Sequence, residues 1–175
     1  MCGIFGYVGK QNNAANIILE GLKLLEYRGY DSWGVAVKKD KKLEVDKHVG
    51  KIGEAKVNLP ESSLGIGHTR WATHGSVTVQ NAHPHTNESG TISVVHNGII
   101  ENYELLKLAL AEEGYVFKSQ TDTEVIPHLI DYYINHGRTF PSAFERALHD
   151  LHGSYAILAL HSDGTLCFAR NGSPL

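Results

Sequence analysis

The sequence predicts a single α+β domain, on three observations. Short apolar or alternating runs of strand length recur along the chain. Helical periodicity is strongest in the second half. Two polar turns, Lys39-Asp40-Lys41-Lys42 and Ser162-Asp163-Gly164, each join a pair of strands. The 175 residues suit one domain with a sizeable core, and 42% hydrophobic against 20% charged content describes a globular chain.

The elements follow in order. Met1 to Gly9 opens with a short apolar strand broken by glycines. Asn12 or Asn13 caps a helix to about Tyr27, with Ala14, Ile18, Leu22 and Leu25 on one face and Gly29 as its stop. Trp33–Lys38 and Leu43–Val49 read as strands, and a weakly patterned stretch ends at Pro60. Leu64–His68 alternates and reads as a strand, while 70–90 reads as loop. Ile92–His96 is an apolar strand expected to end in Asn97-Gly98. Asn102 caps a helix through Glu113, with Leu105, Leu106, Ala109 and Leu110 facing in. Thr121-Asp122-Thr123-Glu124 has the capping-box pattern and starts a helix to about His136. Pro141 suits the first turn of a helix to about Leu151. Tyr155–His161 and Thr165–Arg170 complete a hairpin, and Ala156–Leu160 lacks polar alternation, so that strand is expected to be covered on both faces. The final residues, Arg170 to Leu175, carry no polar tail, and the chain reads as cut in mid-structure.

Net charge is −3, from 16 Lys+Arg against 19 Asp+Glu, which argues against a general nucleic-acid binder. Two cysteines, Cys2 and Cys167, are too few for a disulfide scaffold and suit a reducing compartment. No basic leader region and no long apolar span is seen, so the expected setting is the cytoplasm, away from membranes.

Cys2 carries the sharpest chemical suggestion. Removing Met1 leaves a thiol (ordinary pKa ~8.5) and a free α-amine (~7.7–8.0) on one residue, a nucleophile with its own base. The commoner fate of a free cysteine is a small buried hydrophobe, and Cys2 alone does not overturn it. Four polar segments strengthen the case: Arg28–Asp31, His68–Gly75, His96–Gly98 and Thr121-Asp122. Asn97-Gly98 offers a side-chain amide beside a backbone N–H, a possible oxyanion site. Arg70 can grip a carboxylate and Asp122 an ammonium, the two ends of an amino acid. Each has a bland alternative: a surface ion pair, an ordinary turn, a helix start. His68, His74, His83 and His85 suggest metal ligands, but no Cys-x-x-Cys or His-Glu-x-x-His accompanies them, so no metal is expected.

Taken together, the chain resembles the glutaminase domains of glucosamine-6-phosphate synthases (glutamine–fructose-6-phosphate aminotransferases, isomerising). The stretches that carry the resemblance run along the whole chain: Met1–Ile4, Leu25–Ser32, His68–Gly75, Asn81–His85, Val95–Tyr103, Thr121–Glu124 and Gly172–Leu175. Met-Cys-Gly-Ile is common to class II glutamine amidotransferases, whereas Arg-Gly-Tyr-Asp-Ser, His-Thr-Arg-Trp-Ala-Thr-His-Gly and His-Asn-Gly-Ile-Ile-Glu-Asn are more particular. The resemblance implies an N-terminal-nucleophile hydrolase fold, a four-layer αββα sandwich with two antiparallel sheets, which periodicity alone does not yield. It implies one amidotransferase domain over 1–175, with sugar-phosphate isomerase domains absent from this chain. It also implies L-glutamine as substrate, no cofactor, fructose 6-phosphate acting in the isomerase domains, and a homodimeric full-length enzyme. By the same resemblance Cys2, Asn97 and Gly98 are catalytic. Arg70, Trp71, Thr73, His74 and Asp122 surround the substrate, with Trp71 gating an ammonia passage, and Arg28 supports the nucleophile. Trp33 departs from the family, which more often has a small residue there; the departure bears on local packing near the first helix and not on the chemistry. The alternatives are a glutaminase domain of another class II amidotransferase, such as amidophosphoribosyltransferase, or a non-catalytic histidine-rich metal-binding module.

Overall fold

The structure is a computed structural model that describes residues 2–72 and 75–173. Its elements are β1 (Gly3–Val8), α1 (Ala14–Leu25), a 3₁₀ turn (Glu26–Arg28), β2 (Ser32–Lys39), β3 (Lys42–Val49), β4 (Leu64–Arg70), β5 (His85–Thr86), β6 (Ile92–Ile100), α2 (Tyr103–Glu112), α3 (Val125–Asn135), α4 (Phe140–Asp150), β7 (Gly153–His161) and β8 (Leu166–Asn171). Two four-stranded sheets form, in the orders β1-β4-β2-β3 and β5-β6-β7-β8. Every pairing between these strands is antiparallel.

The period of two along a strand explains the layers. In β2, Trp33, Val35 and Val37 pack under α1, while Ala36 faces the other way. Ala36, Ile66 and Leu64 meet Val95, Leu158 and Leu160 of the second sheet, forming a core between the sheets. On the far side of the second sheet, Ile92, Val94, Ile157 and Ala159 pack against α3 and α4. The result is the expected αββα sandwich, and Ala156–Leu160 is buried on both faces. Gly65 and Gly67 let α1 lie directly on β4: a Cβ at Gly67 would stand 2.4 Å from Ile18 Cγ2.

The same parity aims the polar residues. His68 and Arg70 share the Ile66 face of β4 and so look toward the second sheet. Asn97 shares the Val95 face of β6 and looks back at the first. Cys2 lies at the head of β1, beside the end of β4.

Several expectations need correction. β6 does not stop at His96 but runs through Asn97-Gly98, because its ladder with β7 continues to Ile100↔Gly153. The 70–90 stretch contains the short β5, paired through His85↔Val94 and Thr86↔Ser93. The first helix ends at Leu25 and gives way to the 3₁₀ turn. In α2 the inward stripe is Tyr103, Leu106 and Leu110, whereas Leu105 and Ala109 are exposed, because this helix touches the core along a narrow edge. The capping box does not form: Glu124 itself is the N-cap of α3, without a side-chain cap bond. Its carboxylate instead accepts the Lys118 and Ser119 N–H groups (2.9 and 2.7 Å). Trp33 is accommodated fully, only 2% exposed under α1 and stacked on His48 at 4.4 Å between ring centroids.

Candidate active site

The seam between the two sheets opens at one end into a pocket whose lining includes Cys2, Arg70, Trp71, Gly98 and Asp122. Cys2 is half-buried. Its Sγ accepts the Trp71 N–H at 3.3 Å and lies 3.7 Å from the Trp71 carbonyl, so the residue after β4 holds the thiol. Burial pushes the Cys2 thiol above its ordinary pKa, against the Trp71 N–H and the positive charges of Arg70 and Arg28. A thiol in this position needs a base, or a further positive charge, to become a thiolate near neutral pH.

Asn97 crosses the seam. Its Nδ2 donates to the Cys2 carbonyl at 3.1 Å, and its Oδ1 lies 2.9 Å from His68 Nε2. Gly98 follows with φ +130, and a Cβ there would stand 2.0 Å from the Ser154 carbonyl oxygen. Only glycine fits that backbone and that approach to β7. Asp122 lies beyond the strand end, where its Oδ2 accepts the Ile100 N–H at 2.8 Å.

Arg70, at the end of β4, donates to the Gly75 and Ser76 carbonyls (3.4 and 3.3 Å). The Ser76 carbonyl is anchored in turn. Asn81 Nδ2 donates to the Ser76 carbonyl (2.9 Å) and to Gln120 Oε1 (3.0 Å), while Asn81 Oδ1 accepts the Gln120 N–H (2.9 Å). Asp31 accepts the Ala72 N–H at 2.8 Å and its own N–H bonds the Arg70 carbonyl at 3.0 Å, fixing the chain on either side of Trp71. Trp71 itself is 43% exposed and meets the Tyr30 ring edge-on at 5.4 Å.

A cysteine held at a strand head, with an amide, a guanidinium and a carboxylate around one pocket, is the equipment of amide-directed acyl transfer. Comparison with known proteins decides the family: the glutamine amidotransferase domain family matches residues 68–174. The chain belongs to that family. All of this amidotransferase domain aligns, at 52% identity, with glutamine–fructose-6-phosphate aminotransferase (isomerizing) of Clostridium perfringens. It aligns at 51% with the protein of the same name from Pyrococcus horikoshii. The chain spans 29% and 30% of those two relatives. Among solved structures it is similar to glutamine phosphoribosylpyrophosphate amidotransferase from B. subtilis, with a TM-score of 0.80 and 29% identity, covering 98% of this chain and 37% of that one. A predicted glutamine amidotransferase from Pseudomonas aeruginosa shares the fold, with a TM-score of 0.52 at 18% identity over 75% of this chain. The two-sheet sandwich is thus that of the class II amidotransferases, the N-terminal-nucleophile hydrolase fold.

Of the residues the sequence singled out, the amidotransferase domain gathers Cys2, Arg70, Trp71, Asn97, Gly98 and Asp122 at the seam. Arg28, in the 3₁₀ turn, reaches Cys2 through its charge. Thr73, His74 and Met1 lie outside the described residues.

Sequence reasoning weighed His68, His83 and His85 only as metal ligands and missed their place, with His96, behind the site. His68, His83, His85 and His96 are all buried, 5% exposed or less. Burial lowers the pKa of His68 and His85 to about 3 and that of His96 to about 4, and it holds His83 well below its ordinary value. All four are therefore neutral at physiological pH. His68 and His83 stack with centroids 4.1 Å apart, face to face, rather than aiming nitrogens at a common point. Among the described residues no group of three or more His, Cys, Asp or Glu side chains is arranged to hold a metal ion. The signal that could have found His68 is its spacing: two residues before Arg70 on one strand, it must share Arg70's face.

Proposed function

We propose that this domain hydrolyses L-glutamine to glutamate and ammonia through a γ-glutamyl thioester on Cys2. The observation that carries the reading is the Asn97 amide set across the seam at the Cys2 backbone. Once Met1 is removed, the α-amine of Cys2 accepts the thiol proton, through a water, and the thiolate attacks the side-chain carboxamide carbon. Asn97 Nδ2 and the Gly98 N–H stabilise the tetrahedral oxyanion. The C–N bond breaks, the amine returns its proton to the leaving nitrogen, and ammonia departs. Water then attacks the thioester and releases glutamate. Arg70 holds the substrate α-carboxylate and Asp122 its α-ammonium, and by the family resemblance Thr73 and His74 are further substrate-binding residues. Arg28 supports the thiolate by its charge, and Cys167 takes no part.

In a longer protein of the relatives' length, the ammonia would pass by Trp71 to isomerase domains. There it would convert fructose 6-phosphate to glucosamine 6-phosphate, in a cytoplasmic homodimer. The 50%-range identity to the aminotransferases favours this destination over the phosphoribosylpyrophosphate amidotransferases, whose similarity is 29%. Among the described residues no helix is long and apolar enough to cross a membrane.

The deciding experiment pairs intact mass with a glutaminase assay. Protein lacking Met1 should release glutamate and ammonia, and protein retaining Met1 or carrying an added residue should not. Equal rates in the two forms refute the N-terminal nucleophile.

A further inference from the structure

We infer that His68 is a positioning residue for the oxyanion donor: its Nε2–H, held by Asn97 Oδ1 and the His96 carbonyl, sets the rotation of the Asn97 amide so that its NH₂ faces Cys2. The inference rests on the proposed role of Asn97 and assigns the device that aims it. A terminal amide turns about a soft, roughly two-fold torsion, so an asparagine alone does not choose which atom faces the nucleophile. Here both choices are forced. Cys2 presents a carbonyl, which only accepts, and lies 3.1 Å from Nδ2. His68 Nε2 lies 2.9 Å from Asn97 Oδ1 and 3.0 Å from the His96 carbonyl. Both are acceptors, so Nε2 carries the proton and His68 is the Nε2–H tautomer.

The ring is itself fixed. β5 pairs with Ser93 and Val94, and beyond them no strand among the described residues pairs with that edge of β6. The His96 peptide takes side chains instead: its carbonyl accepts from His68, and its N–H donates to His83 Nδ1 at 3.3 Å. The His68 and His83 rings stack at 4.1 Å with 19° between planes, so the pair holds His96, the residue before Asn97, by both its N–H and its carbonyl. Among the described residues, buried His68 Nδ1 has no hydrogen-bond partner. Protonating it would leave a buried N–H⁺ without an acceptor, which keeps the ring neutral and its single donor committed to Asn97.

The test uses the domain lacking Met1, with kcat, KM for glutamine and melting temperature measured on each preparation. His68→Leu removes the donor, and His68→Gln keeps an N–H at the Nε2 position. His68→Leu should lower kcat roughly 10–100-fold, the scale on which partners that orient metal ligands act, with KM changed less than about two-fold. His68→Gln should recover most of kcat. In an Asn97→Ala background, His68→Leu should cost nothing further. Equal losses with and without Asn97, no rescue by His68→Gln, or an unchanged kcat in His68→Leu overturns the assignment. Should His68→Leu fail to fold, a folded His68→Gln with a large loss of kcat overturns it equally, and near-normal turnover supports it. Ring ¹⁵N shifts give a readout apart from activity: His68 should stay the Nε2–H tautomer from about pH 5 to 8, and an imidazolium or Nδ1–H form there refutes it. Normal turnover in Asn97→Ala alone would instead defeat the oxyanion reading, a distinct result.

Discussion

Gly98→Ala is the substitution whose effect the structure sets most sharply. Gly98 has φ +130, and an added Cβ would sit 2.0 Å from the Ser154 carbonyl oxygen and 2.9 Å from Tyr155 Cα. Both are backbone atoms of the paired strand, so no side-chain rotation relieves the clash. Two costs add. A non-glycine residue in so unfavourable a backbone region costs about 1–3 kcal/mol. Overpacking against a fixed neighbour costs ~1–3 kcal/mol more. The sum, roughly 2–6 kcal/mol, corresponds to a fall in melting temperature of about 5–20 °C for a domain of this size. Relief can come only by parting β6 from β7, which displaces the Gly98 N–H from the proposed oxyanion site. Turnover of the folded fraction should therefore fall by ~10²-fold or more, as when an oxyanion donor is lost. Gly114→Ala is the control: its φ is +91, but nothing stands within 4 Å of its Cβ position, so it bears backbone strain without the clash. Thermal melts and glutamine turnover on both variants decide. If they melt alike, and Gly98→Ala turns over normally, the collision with Ser154 does not govern the site.

Other expectations follow from the same geometry. Asp122→Asn keeps an acceptor for the Ile100 N–H, so it should melt near the parent while KM for glutamine rises ~10–100-fold, the worth of a hydrogen bond to a charged group. A lower melting temperature with unchanged KM would make Asp122 structural only. Arg70→Lys keeps the charge but loses the planar fork, so it too should raise KM more than it lowers kcat. Stability should fall on acidification below about pH 6.5. His68, His83, His85 and His96 have folded pKa values depressed below the unfolded one, so between about pH 4 and 6.5 the unfolded chain binds more protons and stability rises with pH. Each contributes up to ~1.4 kcal/mol per pH unit in that window. Denaturant melts at about pH 7.5 and 5.5 test this, and equal stabilities would show that these rings are not held neutral.

Much of the chain was legible because its signals are local. The alternation of β4, the polar turns flanked by apolar runs and the amphipathic first helix all appear in windows of about a dozen residues. What was misread depends on partners distant in sequence. Asn97-Gly98 looks like the end of a strand because Asn and Gly are turn residues. It remains in β6 because Ala156 and Tyr155 continue the ladder opposite. Thr121–Glu124 has the letters of a capping box, but the Glu124 carboxylate is drawn to the Lys118 and Ser119 N–H groups before the helix. Thr121 Oγ1 lies 3.0 Å from Nε2 of His85, a residue of β5 that is 36 positions earlier in the chain.

The histidines show the same limit in its chemical form. In the sequence a cluster of imidazoles is a set of possible ligands, and nothing local says whether their nitrogens converge. Folding buries these rings and gives them partners distant in sequence. His68 Nε2 is committed to the His96 carbonyl and His83 Nδ1 to the His96 N–H, and the two rings stack on each other. The site therefore sits where a sheet edge runs out of strand: β5 is two residues long, β6 continues past it, and the His96 peptide thus freed is held by side chains. A longer β5 would satisfy that peptide with backbone. It would also fill the space from which His68 reaches Asn97, and the amide facing Cys2 would lose the partner that orients it.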